Sequence, residues 1–256
     1  MNLLIAAAAT LVFCAPGYPG GAGDAQPYLD QFAADAAKSA GWPTGSLNAV
    51  YDPTEAGGLA KLASSEAVLA FVPYPFYVQH ATQLHLKPIA QADVTGTGTR
   101  ERWTLVAKAG RITAPASLAG YTILSVAGYA PDFVRHAALG SWGIPADVRI
   151  ESTGQILSAL RKVAAGEQTA ALLDQTQDTS LTSLPFAAQL ANVTQSAPLP
   201  VALVAVVDAR LPQARVRSFQ AGLLKLGHAS GGSQSLASLR LQGFVMPQLP
   251  ADAPAP

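Results

Sequence analysis

Along this chain, short runs of consecutive apolar residues alternate with longer stretches in which apolar residues return every three or four positions. The first pattern predicts buried strands and the second amphipathic helices. Thr10–Cys14 (TLVFC) reads as a strand. Over Ala25–Ala40, Tyr28, Leu29, Phe32, Ala36 and Ala40 share one helical face, with Asp24 as predicted N-cap and Gly41 as the stop. Leu47–Tyr51 is a second strand, and Thr54 is placed to cap a short helix running to Ala63. Ala67–Val72 is a strand, followed by the turn "PYPF", a helix near Tyr77–Leu84, and strands over Pro88–Val94 and Glu101–Lys108.

The alternation then continues. Strands are predicted at Tyr121–Val126, Val148–Glu151, Ala170–Leu173, Leu190–Thr194 and Pro198–Ala209. Helices are predicted at Pro131–Leu139, Gly154–Ala165, Gln175–Leu184, Pro212–Leu226 and Ser233–Leu241, ahead of a Pro/Ala tail. Strands alternating with helices define an α/β fold with largely parallel sheets. Runs such as AVLAFV and VALVAVV have no polar face, so both faces of their sheets are covered.

Composition bounds the function. Of 256 residues, half are apolar, enough for one large domain or two small ones. Sixteen basic residues balance sixteen acidic ones, and no basic face argues for nucleic acid. Cys14, the only cysteine, sits in an apolar strand and reads as a buried thiol. "MNLLIAAAAT" has the apolar core and small residues of an export signal without its basic start. It reads as a clipped export signal over residues 1–9, the alternative being an extension of the first strand. No apolar run is long enough for a membrane-spanning helix.

The glycine-rich turn in APGYPGGAGDAQPYLDQF invites a phosphate-loop reading, which its residues refuse. It lacks the lysine and hydroxyl of a nucleotide-binding loop. In the dinucleotide pattern, Gln26 stands where the third glycine belongs, and Asp24 would repel a phosphate. The turn instead carries Tyr18 to the carboxyl edge of a sheet, where ligands of open α/β folds bind. Tyr51, Tyr74, Phe76, Ser125 and Tyr129 fall at similar strand ends; such tyrosines can equally just cover a core. Ser152 and Thr153 open a helix, where Ser152 and Gln155 also form a predicted capping box. Asp174 ends a strand and could equally cap the next helix. His80, His85, His136 and His228 show no metal-ligand spacing, and no nucleophile elbow is present, so no cofactor, metal or catalytic residue is predicted.

Three passages carry a resemblance. SSEAVLAFVPYPFYVQH (Ser64–His80), LVAKAGRITAPASLAGYTILSVAGYAPDFVRHAALGSWGI (Leu105–Ile144) and STGQILSALRKVAAGEQTAALLD (Ser152–Asp174) resemble the periplasmic solute-binding proteins of ABC transporters, in the phosphate/phosphite/phosphonate-binding (PhnD-like) group. The resemblance implies a type 2 periplasmic-binding fold of two lobes, residues 10–105 plus 198–247 and residues 106–197, with hinge crossings near Leu105–Lys108 and Ser196–Leu203; the Pro/Ala tail over 248–256 is expected to be disordered. It further implies a monomeric, exported periplasmic receptor that closes on a small molecule between its lobes and delivers it to a membrane permease. On that reading Tyr18, Tyr51, Tyr74, Phe76 and Tyr129 would wall the ligand, Ser125, Ser152 and Thr153 would donate hydrogen bonds, and Asp174 would accept one. One passage departs from the family pattern: SVAGYAP offers Ala127, Gly128, Tyr129 and Ala130 where phosphonate binders present hydroxyls. The expected ligand is thus a phosphonate-like anion or a less charged, partly apolar molecule. Two alternatives use the same fold: a ligand-sensing module for a signalling partner, and an enzyme in which Asp174 or Tyr129 does chemistry.

Overall fold

The computed structural model of the chain describes residues 9–18, 20–228 and 232–254. The export-signal reading therefore lies outside the described residues, except for Ala9, which begins the first strand. Contacts divide the chain into two compact units. The first holds the residues up to Ala15, Gly20–Thr99 and those from Pro200 onward; the second holds Pro16–Pro19 and Arg100–Leu199. The divisions fall at Thr99/Arg100 and Leu199/Pro200. Leu105–Lys108, expected at a crossing, lies inside the second unit's sheet instead.

In chain order the first unit begins with β1 (Ala9–Cys14), α1 (Ala22–Ser39), β2 (Leu47–Asp52), α2 (Glu55–Ala63), β3 (Ala67–Pro73), α3 (Tyr74–Leu84) and β4 (Leu86–Val94). The second contains β5 (Arg100–Glu101), β6 (Thr104–Lys108), β7 (Thr122–Ser125), β8 (Arg149–Ser152), α4 (Ile156–Ala165), β9 (Thr169–Leu173), α5 (Gln175–Thr179) and β10 (Leu190–Gln195), with a π-helical stretch at Phe133–Ala138. β11 (Leu199–Pro200) marks the return, and β12 (Ala202–Val207), α6 (Gln213–Lys225), α7 (Gly232–Ser238) and β13 (Leu241–Val245) complete the first unit.

The first unit's sheet runs β13-β4-β12-β3-β1-β2 and the second's β10-β6-β9-β7-β8. Each has a parallel core: β1 between β2 and β3, and β7 between β8 and β9. The strands beside those cores are antiparallel, β12 to β3 and β6 to β9. β12 starts opposite Pro73, at the carboxyl end of β3, so it can only run back down the sheet.

Period-two alternation within fully buried strands gives the first sheet two apolar faces. On one, Phe13 meets Phe32 of α1 edge-on at 5.6 Å and Phe71 at 4.9 Å, and Phe244 of β13 closes the group at 5.8 Å from Phe71. Trp42 joins this layer against Phe219 of α6, with the Arg215 guanidinium 3.8 Å over its ring. The other face carries α2 and α3. Here Cys14 is buried as expected, its thiol donating to the Thr54 carbonyl at 3.5 Å and pushed up to about 12 by burial and by the Asp52 and Glu55 carboxylates.

Several elements differ from expectation for identifiable reasons. α1 starts at Ala22, and its cap is Gly21, without a side-chain bond; Asp24 sits in the first turn, still favourable to the helix dipole. Tyr28, assigned to the buried face, is 52% exposed, and Leu29, Phe32, Ala33 and Ala36 bury the helix instead. The predicted strand over Glu101–Lys108 breaks at Arg102–Trp103, and that over Pro198–Ala209 is split and ended by left-handed Asp208 and Ala209. The helix expected over Ser233–Leu241 ends at Ser238, and β13, not expected as a strand, pairs with β4 at the sheet edge. The tail expected to be disordered is tied down: the Gln248 N–H donates to Gln91 Oε1 at 3.0 Å, and the Tyr77 hydroxyl donates to the Pro254 carbonyl at 3.0 Å.

Candidate functional site

The second unit gathers chemistry at the carboxyl edge of its parallel strands. β7 and β8 end together, Ser125 opposite Ser152. After Ser125 the chain turns tightly: the Gly128 N–H donates to the Ser125 carbonyl at 3.1 Å, and the Thr153 N–H donates to the same oxygen at 2.9 Å. Gly128 packs on the backbone of Glu151 and Ser152 so closely that a Cβ has no room. The loop carrying Tyr18 docks here as well. Gly17, at φ +84°, lies where a Cβ would come within 2.7 Å of the Val126 carbonyl oxygen. Glycine is required at Gly17 for both backbone and space.

This docking answers what the glycine-rich turn does: it inserts Tyr18 among the second unit's ionisable groups. Burial raises the Tyr18 hydroxyl well above its ordinary range, with Asp174, Glu101 and Tyr129 adding to the rise in that order. Asp174 is buried, directly follows β9 and caps α5. Its Oδ1 accepts the Gln177 N–H at 2.8 Å, while Gln177 Oε1 accepts the Asp174 N–H at 3.2 Å. Burial still outweighs these bonds and holds its carboxyl above the usual range. Glu101, only 5% exposed, is pushed up to about 8, by burial first and by the Asp174 charge second, against the Gln175 N–H and the Trp103 indole. No cation acts on either carboxyl among the described residues: the flanking Arg100 and Arg102 guanidinia donate to the Pro198 and Ser196 carbonyls.

Tyr18, Tyr129 and Asp174 are thus brought together. Glu101 and Trp103 were missed. The charged run Arg100-Glu101-Arg102 reads as solvated surface, so local pattern held no signal for a buried Glu101. Other expected residues are corrected. Ser125 is buried and its one hydroxyl proton goes to the Leu172 carbonyl at 2.8 Å, so it has no proton to donate to a ligand. Ser152 and Thr153 do not open a helix: Ser152 is the exposed last residue of β8, α4 starts at Ile156, and Thr153 Oγ1 accepts the Gln155 N–H in place of the expected capping box.

Tyr51, Tyr74 and Phe76 belong to the first unit. Tyr51 is half-buried against the core at the end of β2. The "PYPF" turn is the first turn of α3, because proline suits the start of a helix. That makes Phe76 a core residue, fully buried against His80 at 4.7 Å, rather than a ligand wall. Tyr74 is 1% exposed and stacks on Tyr77. A groove of about 540 Å³ in this unit, bordered by Lys87, Asp208 and Arg217, lies at the opposite end of the sheet from the carboxyl ends of β1–β3. Among the described residues no cluster of three metal-ligating side chains occurs, and no helix is long and apolar enough to cross a membrane.

Two α/β units, each with a parallel core and linked by the chain's passage out and back, form the architecture of the periplasmic binding proteins. The model of the family described as "ABC transporter, phosphonate, periplasmic substrate-binding protein" matches residues 48–252. The chain belongs to this family, whose members are substrate-binding transport proteins rather than enzymes and work with an ABC permease. Among solved structures it is similar to XAC2383 from Xanthomonas citri bound to chloride ion, at TM-score 0.67 and 16% identity, over 94% of this chain and 92% of that one. It is also similar to a binding protein component of an ABC phosphonate transporter (PA3383) from Pseudomonas aeruginosa, at TM-score 0.62 and 14% identity, over 94% and 82%. PhnD1 from Prochlorococcus marinus (MIT 9301) in complex with methylphosphonate gives TM-score 0.62 and 13% identity, over 93% of each chain. A search of the curated proteins finds no match.

Proposed function

We propose that this chain captures its small-molecule ligand at the carboxyl edge of the second unit's sheet, as the exported, monomeric receptor of an ABC importer, with no catalytic step and no nucleic-acid partner. The observation that carries the reading is the convergence of Tyr18, Tyr129, Glu101 and Asp174. Loops from four separate places in the sequence deliver polar and aromatic side chains to one spot, beyond what the core needs. The exposed Ser152 hydroxyl and the neighbouring Thr153 lie at the end of the adjacent strand and are assigned to hydrogen bonding with the ligand. The balance of acidic and basic residues offers no field for a polyanion.

Titration calorimetry against phosphonates, amines, amino acids and neutral small molecules tests the reading. A ligand should bind, and Tyr129→Ala should weaken it at least tenfold while the melting temperature moves by only a few degrees. Unchanged affinity in Tyr129→Ala and Tyr18→Ala would move the site elsewhere. Sedimentation should give one 26.3 kDa species with and without ligand.

A further inference from the structure

We propose that the groove of about 540 Å³ in the first unit is a second binding site, for a small organic monoanion with an apolar body, of the medium-chain carboxylate class. It shares no residue with the carboxyl edge of the second unit, so the proposal stands apart from the receptor reading. The volume lies in the range of small-molecule sites. The groove forms where α6 faces β4 and β12. Gln213, Val216, Arg217 and Gln220 recur at helical spacing, so a single face of α6 makes one wall. Ile89, Val206, Leu211 and Val216 supply a buried apolar floor.

Lys87 sets the sign of the charge. In the ladder it stands directly opposite Val206, so the two side chains leave the same face of the sheet, the one packed by α1 and α6. An apolar residue would be expected there. Lys87 is instead exposed and lines the groove, and Arg217 lines it from α6. Neither forms an ion pair among the described residues. Asp208, the acid of the lining, faces Arg210 at 3.9 Å, and Arg210 is itself held by the Leu62, Ser64 and Ala67 carbonyls. Two unpaired cations against one paired acid complement a single negative charge. An ammonium would meet two like charges, and a wholly apolar molecule would leave both cations unused.

The rim is fixed in shape. Among the described residues four non-glycine residues have left-handed φ, and three of them, His85, Asp208 and Ala209, line the groove at φ +48°, +47° and +51°. His85 is explained as the cap of α3, and aspartate tolerates this region. Ala209 has no such reason in its own side chain. The Asp208 N–H donates to the His85 carbonyl at 3.2 Å and ties the two turns together. Further along the wall, Gln220 Nε2 donates to the Ile89 carbonyl at 2.6 Å, at the bulge where Ile89 has no partner in β12. Bulges and held, strained backbone of this kind collect at functional sites.

The test is an NMR titration of the isotope-labelled full chain with octanoate, octanol and octylamine. Octanoate should shift the amides of β4, α6 and the Asp208–Ala209 turn and leave those of Tyr18 and Tyr129 in place. Octanol should bind about tenfold more weakly, and octylamine more weakly still. Raising salt from about 50 to about 500 mM should weaken octanoate roughly threefold and leave octanol unchanged. Lys87→Gln and Arg217→Gln, both at exposed positions, should each weaken octanoate about three- to fivefold, and Asp208→Asn should strengthen it. Should a variant fail to fold, the salt dependence and the three-probe comparison on the wild-type chain still decide. Equal binding of octanol, octanoate affinity unmoved in both cation variants, or octanoate shifts confined to the second unit would overturn the inference, as would no shift at all.

Discussion

Glu101 sets the chain's expected response to pH. Its carboxyl is raised from the ordinary 4.5 to about 8, so between those values the folded state holds a proton that the unfolded state has released. Stability must then fall as pH rises through that window, by roughly 1.4 kcal/mol per unit at most, and level off above it. Asp174, also raised, adds in the same direction. Thermal melts of unliganded protein from pH 5 to pH 9 should show the decline, and Glu101→Gln should remove most of it, making the variant the more stable protein at pH 8. A flat profile in the wild type would mean that Glu101 is solvated. Ser125 gives a second expectation at this scale. Ser125→Ala removes the buried hydroxyl that donates to the Leu172 carbonyl and accepts the Ala127 N–H, and should cost about 1–3 kcal/mol in denaturant unfolding. If its role were to donate to a ligand, affinity would fall while stability held.

At the scale of elements, caps and close approaches decide where helices begin. Thr54 performs as its position predicts: its Oγ1 accepts the Gly57 N–H at 3.1 Å and donates to Asp52 Oδ1 at 2.7 Å. Thr54→Ala should cost about 1 kcal/mol, read as a lower urea midpoint at unchanged slope. The capping box written as Ser152–Gln155 is absent, while the cap that Asp174 offered to the next helix forms as a full box with Gln177. Both sequences fit the pattern. The difference is that β8 extends through Ser152 to pair with Ser125, which holds it in strand geometry. Gly128 is a close junction in the second unit, between the turn after β7 and the end of β8. Gly128→Ala would drive a methyl into the backbone at Glu151 and should destabilise by about 1–3 kcal/mol, measured by the same unfolding curves. An unperturbed midpoint would show that the loop can move aside.

For the whole molecule, apolar periodicity alone disclosed the α/β class, because long buried strands and amphipathic helices leave separate signatures. It did not disclose β13, whose five residues at a sheet edge are too few to show a period of their own. Nor did it disclose that Pro16–Pro19 would belong to the unit distant in sequence. A ligand that binds only the folded chain should stabilise it by about 2.7 kcal/mol at a hundredfold excess over Kd, seen as a concentration-dependent rise in melting temperature. A bound ligand that leaves the melt unchanged would be bound to unfolded chain as well.

By itself the sequence determined most strands and helices, the lack of recognisable catalytic and metal-ligand motifs, and three of the four side chains that converge in the proposed site. Tyr18, Tyr129 and Asp174 were legible because each follows a recognisable strand, and strand ends are where an α/β sheet exposes its chemistry. Only the tertiary structure decided that Glu101 is buried beside Asp174 without a cation, that Phe76 fills a core and that Ser125 spends its proton on Leu172. Burial and pairing join residues far apart in the chain, and local pattern carries no record of them.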